Sequence, residues 1–122
     1  MITNTIVLLA ARLVLAVESG GLQNPPDGDG GRAVGPYQMW PCAVREANRI
    51  VGRKLWTTGD RRNPQLSRAM CLATLQHHYN RGVTNVVDLA CRWRNPYGVC
   101  PVWHAKKIRK ALEDNERRGE GT

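Results

Sequence analysis

An apolar helical run from Ile6 to Val17 ends at Glu18, and the stretch that follows, Ser19 to Gly35, carries six glycines and two prolines. No regular element can hold such a stretch, so the chain must fold as a helix whose C-terminal end opens into a long, tightly turning loop. Regular structure resumes after Gly35-Pro36-Tyr37-Gln38. This junction puts a single carboxylate, Glu18, at the end of a rigid apolar support. A carboxyl group partly shielded from water resists ionising, and its raised pKa lets it carry a proton to a leaving group at working pH. The plainer reading is a solvated residue at a helix end.

The remainder reads as helices. Ile6, Leu9, Leu13 and Ala16 line one face of the first, while Val7, Ala10, Val14 and Val17 line a neighbouring one, which predicts a central helix. Thr3, Asn4 and Thr5 offer N-caps. Pro41 suits the first turn of a second helix whose stripe is Ala43, Val44, Ala47, Ile50 and Val51, ended by Gly52. Residues 52–62 read as a basic, irregular connection. Asn63-Pro64 opens a third helix with Leu66, Ala69, Met70, Ala73 and Gln76 on one face, stopped at Asn80-Arg81-Gly82. A short fourth starts at Thr84 and carries Val86, Val87, Leu89, Ala90 and Trp93. Pro101 opens a fifth with Trp103, Ile108 and Leu112 inward. The expected architecture is one mainly α domain of about five helices over residues 1–113, with a Gly-rich loop or short β-hairpin after the first helix and a charged, flexible tail at 114–122.

At 122 residues the chain can build a single core without metal or cofactor. Phe is absent, so the four Trp are expected to supply much of the aromatic packing. A net charge of +8 implies an anionic partner such as nucleic acid, a membrane surface or an acidic wall polymer. Cys42, Cys71, Cys91 and Cys100 lack zinc-site spacing, and the histidines do not complete one, so no metal is expected. Cys91 and Cys100 flank a short loop and are expected to pair, leaving Cys42 with Cys71, which fits an oxidising site of action. Four reduced, buried thiols are the alternative. Ile6 to Val17 is not read as a signal peptide, because no Lys or Arg precedes it and Arg12 interrupts it; it is also too short to cross a bilayer.

Glu18-Ser19-Gly20-Gly21, then Asp29-Gly30-Gly31-Arg32-Ala33-Val34-Gly35-Pro36-Tyr37-Gln38, resembles the invertebrate-type (destabilase) lysozymes and their bacterial and phage transglycosylase-like relatives. A downstream match, Ala90-Cys91-Arg92-Trp93-Arg94-Asn95-Pro96-Tyr97-Gly98, is similar to a shortened form of that family's Ala-Arg-Ile-His-Asn-Gly-Gly-Pro-x-Gly. The helix from His104 through Ile108 then stands where the family has Tyr-Trp-x-Lys-Val. The resemblance spans roughly residues 10–112 and implies an α+β lysozyme-like fold. It also implies cleavage of the β-1,4 bond between N-acetylmuramic acid and N-acetylglucosamine, with no cofactor.

Such cleavage needs an acid on the bridging oxygen and stabilisation of an oxocarbenium-like transition state. The resemblance makes Glu18 the acid and Asp29 the second carboxylate, with Asp27 its nearest competitor. In a lytic transglycosylase Glu18 would act alone, first as acid and then as base, while the muramic 6-hydroxyl attacks. Ser19, Tyr37, Gln38, Asn95 and Tyr97 become the expected substrate-binding residues; the alternatives are that Tyr37 and Gln38 hold the hairpin to the core, that Ser19 bonds the loop and so fixes Glu18 or caps a helix, and that Asn95 orients Glu18 or only forms a turn. The four cysteines are fewer than in animal members, which points to a bacterial or phage relative; His104 stands near a position where the family has Tyr, and is either a neutral imidazole in place of a phenol beside the acid or a surface His.

Asp27-Gly28-Asp29-Gly30-Gly31 lacks the Gly and Glu that a calcium loop needs, and the ending that a phosphate-binding loop needs. Three function classes remain: a peptidoglycan-cleaving enzyme, a non-catalytic wall-binding or virion protein, and a nucleic-acid binder. The scattered Lys and Arg disfavour the third. The expected partners are peptidoglycan glycan strands and other phage virion proteins. The expected place of action is the bacterial wall or periplasm, reached from a virion or after lysis, with no nucleic acid and no transmembrane segment involved.

Overall fold

The computed structural model describes residues 4–120. The protein is mainly α, with five α-helices among the described residues: α1 (Thr5–Ser19), α2 (Pro41–Val51), α3 (Pro64–Asn80), α4 (Val86–Cys91) and α5 (Val102–Glu120). Short 3-10 turns lie at Asp29–Gly31 and Thr58–Arg62. Helix α1 is central and packs against α3, α4 and α5, burying Val7, Ala10, Ala11, Leu13 and Val14. Asn4 caps it, its Oδ1 accepting from the amides of Ile6 and Val7 at 2.9 and 3.1 Å. Gly20 ends it in the left-handed conformation. Thr3, another cap candidate, lies outside the described residues. No described helix is long and apolar enough to cross a membrane.

The other boundaries follow local chemistry. Pro41 and Pro64 sit at helix starts, Asn63 and Asn85 cap α3 and α4 with their side chains, and Gly52 closes α2. Two stripes were misplaced. On α3 the inward face is Ser67, Met70, Cys71, Thr74, Leu75 and His78, while Leu66 is exposed. On α5, Ile108 is buried, but Trp103 is half-exposed and His104 and Ala105 take the inward positions. The charged segment from 114, expected to be a tail, continues α5 to Glu120. Ion pairs of Asp114 with Lys110 and Arg117 at helical spacing, and a bond from Arg12 to Asn115, hold it there.

The Gly-rich loop is a pair of tight antiparallel turns with single bridges, Gly28 to Ala33 and Val34 to Met39. It is fastened to the 3-10 turn at Thr58–Arg62. Arg61 Nη1 donates to the carbonyls of Arg32 and Met39 at 2.9 and 3.0 Å, and Arg62 pairs with both oxygens of Asp27 at 3.0 Å. Gly35, at φ +81°, lies so close to Arg61 that a Cβ there would stand 1.8 Å from the Arg61 carbonyl oxygen. Only glycine fits both the turn and this approach.

Cys91 and Cys100 form a disulfide that closes the loop after α4. Cys42 and Cys71 are free, contrary to the expected second bridge. Cys42 is exposed at the start of α2, and Cys71 is buried on the core face of α3, where burial pushes its thiol pKa up. Trp56 is the buried tryptophan; Trp40 and Trp103 are exposed, so the aromatic packing expected of all four falls mainly to Trp56 and the half-buried Trp93.

Candidate active site

A cleft of about 480 Å³ opens between the Gly-rich loop, α2 and the segment following α4, with one residue of α3 reaching its floor. Glu18 enters from the end of α1, its side chain only 8% exposed. Burial pushes its pKa above the ordinary carboxylate value; Arg94 opposes the rise, Asp29 adds to it and Lys107 opposes it. Desolvation is the largest of these effects.

Asp29 faces the same cleft from the loop. Its backbone adopts φ +50°, a left-handed conformation that Asp tolerates better than most side chains. Its Oδ2 accepts a hydrogen bond from Trp40 Nε1 at 3.1 Å. Arg94 Nη2 lies between the acids, 3.5 Å from Glu18 Oε1 and 3.9 Å from Asp29 Oδ2. The two carboxylate oxygens therefore stand no more than 7.4 Å apart, the sum of those two distances. A glycosidic bond with a carboxyl group on either side fits such a separation. Asp27, the competing carboxylate, is spent on Arg62 and fastens the loop.

Of the expected substrate contacts, Gln38 and Tyr97 line this cleft. Gln38 Nε2 donates to the carbonyls of Pro26 and Gly35 at 3.3 and 3.1 Å, so its amide also holds the loop. Tyr97 is exposed and its hydroxyl donates to Glu46 Oε2 at 2.6 Å, tying the post-α4 loop to α2. That bond, with Arg49, holds the Glu46 carboxyl below its usual range.

Three assignments are corrected. Tyr37 is a core residue: it is 4% exposed, meets Trp93 edge-on with ring centroids 6.4 Å apart, and burial pushes its pKa up to about 12. A ring so enclosed has no face for a sugar. Ser19 bonds the carbonyls of Leu15 and Leu22 and so serves the end of α1. Asn95 turns away from the cleft, its Nδ2 lying 3.3 Å from His104 Nδ1 and 3.7 Å from Cys91 Sγ.

His104 is not a surface residue: it is buried against the disulfide and Trp103. Burial, Arg94 and Lys107 all lower its pKa, so the ring is neutral at pH 7. Cys91, Cys100 and His104 are the one group of metal-ligand types that converges among the described residues. The two sulfurs are spent on their mutual bond.

The sequence reading missed Arg94, Trp40, Glu46 and Thr74, all of which line the cleft. Arg94 lies inside the second quoted motif and Trp40 two residues beyond the first, and that position was the available signal. Thr74 carried none. Its Oγ1 is the one buried side-chain polar atom without a hydrogen-bond partner among the described residues, and buried hydroxyls ordinarily have one. Comparison of the chain with family models, curated proteins and solved structures finds no match.

Proposed function

We propose that the protein is a glycosidase of bacterial peptidoglycan, cutting the β-1,4 bond between N-acetylmuramic acid and N-acetylglucosamine. The observation that carries this reading is the Glu18 carboxyl: it is shielded in an open cleft, its pKa is raised mainly by burial, and a second carboxylate lies within 7.4 Å of it. A protonated Glu18 delivers its proton to the bridging oxygen as the C–O bond breaks. Asp29 stabilises the positive charge that develops on the ring, or activates the water that attacks it. Arg94 then offsets the charge left on Glu18. Trp40 and Tyr97, both exposed at the rim, offer ring faces to sugars.

One observation favours a second reading. Asp29 Oδ2 is already held by Trp40 and lies beside Arg94, so one of its two oxygens is engaged within the protein and is not free to meet the sugar or a water. Glu18 acting alone would make the protein a lytic transglycosylase, in which the muramic 6-hydroxyl attacks and anhydro ends form. The site of action is the bacterial wall in either case, and a protein with these properties suits a virion or a lysis product.

Glu18→Gln keeps the shape of the side chain and removes the proton. It should abolish release of soluble glycan from purified walls while the far-UV circular dichroism is unchanged. Turnover by the variant at even a tenth of the wild-type rate would remove Glu18 as the acid. Wall retention without turnover by the wild-type protein would leave a binding or structural role.

A further inference from the structure

A second concave surface, separate from the cleft, runs between α1 and α5 and has a volume of about 620 Å³. Five exposed cations line it: Arg12 from α1 and Lys106, Lys107, Lys110 and Arg118 from α5. Among the described residues Asp114 is the one acid in the lining, and it is already paired with Lys110 and Arg117. The groove therefore carries +4, half of the net charge of the chain, on one face. The charge that looks scattered along the sequence is gathered by the packing of two helices.

We propose that this groove binds a linear polyol-phosphate chain of the bacterial wall, holding the protein on its substrate while the cleft works. The choice of a wall polymer rests on the function proposed above; the preference for a phosphate chain rests on the groove. Lys106, Lys110, Asp114 and Arg118 form one row at four-residue spacing along α5. Lys106 and Lys110 are thus about 6 Å apart along the axis, and Arg118 lies about 12 Å further on. A chain with one phosphate per small polyol unit can follow such a row. Asp114 stands in the row between Lys110 and Arg118, its charge met by Lys110 and Arg117, while Leu15, Val17 and Ala111 give the groove aliphatic surface that suits the carbon segments between phosphates.

Among the described residues no aromatic side chain lines the groove, so it offers single-stranded nucleic acid no stacking platform. Its concave shape does not suit a duplex, which takes a protruding helix or ribbon into its own groove. A membrane surface would attract the same cations, but a flat bilayer cannot follow a concave groove. The row also leads toward the cleft. Lys107 lies over Trp103 at 5.6 Å, as Arg94 does at 6.0 Å, and Lys107 bears electrostatically on Glu18.

The test is affinity for end-labelled poly(glycerol phosphate), measured by fluorescence anisotropy with the full chain at low and physiological salt. Lys106→Gln, Lys110→Gln and Arg118→Gln are combined in one variant. Arg45→Gln, Arg53→Gln and Lys54→Gln, exposed and outside the groove, are combined in a control of equal charge loss. The groove variant should bind about tenfold or more weakly, and the control should stay within about twofold of wild type. Both variants should turn over a short, phosphate-free soluble glycan of alternating N-acetylmuramic acid and N-acetylglucosamine at the wild-type rate.

Equal weakening in the two variants would show a net-charge effect and overturn the proposal. So would tighter wild-type binding to single-stranded DNA or to anionic phospholipid vesicles than to the polymer, or no binding at all. Since polymer binding is read without catalysis, an inactive wild-type protein would sink the glycosidase reading separately.

Discussion

Replacing Arg94 by glutamine should move the ionisation of Glu18 upward, and with it the alkaline limb of the activity profile. The guanidinium Nη2 stands 3.5 Å from Glu18 Oε1. At that distance two unit charges attract by about 1 kcal/mol at the dielectric constant of water and by about 5 kcal/mol at an effective value of 20. Arg94 is 41% exposed, so solvent screens the pair and the lower end applies, about 1–2 kcal/mol. Since one pKa unit corresponds to about 1.4 kcal/mol, the limb should rise by about one pH unit. The sign follows from which form Arg94 favours: it stabilises the carboxylate, so its loss leaves the acid protonated to higher pH. Asp29→Asn removes a like charge at up to twice the distance, and should move the same limb downward by roughly half as much. The assay is kcat/KM against pH on soluble glycan, with the Glu18 carboxyl titrated independently by carbon-detected NMR. If Arg94 also grips substrate, the rate falls but the position of the limb still reports the pKa. A limb that stays in place, or moves downward, in Arg94→Gln would refute the electrostatic account of the site.

Four further outcomes follow from the geometry. Asp29→Asn should cut the rate by orders of magnitude with reducing ends as products if Asp29 takes part in hydrolysis; mass spectrometry showing anhydro ends from an active variant would establish the single-acid route. The folded pKa of Glu18 lies above its unfolded value, so its contribution to stability is lost as pH rises from about 4.5 through the folded value; Glu18→Gln should therefore raise the melting temperature at pH 7 more than at pH 4, and an equal or reversed change would refute it. Two thiols should react with a chromogenic disulfide reagent, Cys42 in the folded protein and Cys71 only after unfolding; four reactive thiols in unreduced, denatured protein would contradict the Cys91–Cys100 bond. Gly35→Ala should destabilise by more than about 2 kcal/mol in urea melts, because φ +81° is unfavourable for alanine and the new Cβ would collide with the backbone of Arg61; a change under 1 kcal/mol would show that the contact gives way.

Helix starts and stops were legible in the sequence because they are local chemistry. Asn4 and Asn63 bond amides two or three residues away, Pro41 and Pro64 pre-set the first turn, and Gly52 reaches the left-handed region cheaply, whereas the fourth helix, expected from Thr84, starts at Val86 behind an Asn85 cap. The placing of Glu18 at the end of an apolar helix, and of Asp29 in a loop able to fold back, was legible for the same reason. What a side chain faces is set by partners far away in the chain, and there the sequence alone ran out. Tyr37 was read as a sugar platform and is enclosed by Trp93, 56 residues away. Asn95 was read as a cleft residue, yet its neighbour Arg94 reaches Glu18 while Asn95 turns to His104. In a helical turn each residue steps about 100° around the axis, so an error of one position sends a side chain to a different surface. The same sensitivity misplaced Leu66 and Trp103 on their helices. The groove between α1 and α5 had no sequence signature, since Arg12 joins the lysines of α5 only when the two helices pack. Caps and turns are decided within a few residues; facing, burial and the company a charge keeps are decided by tertiary packing.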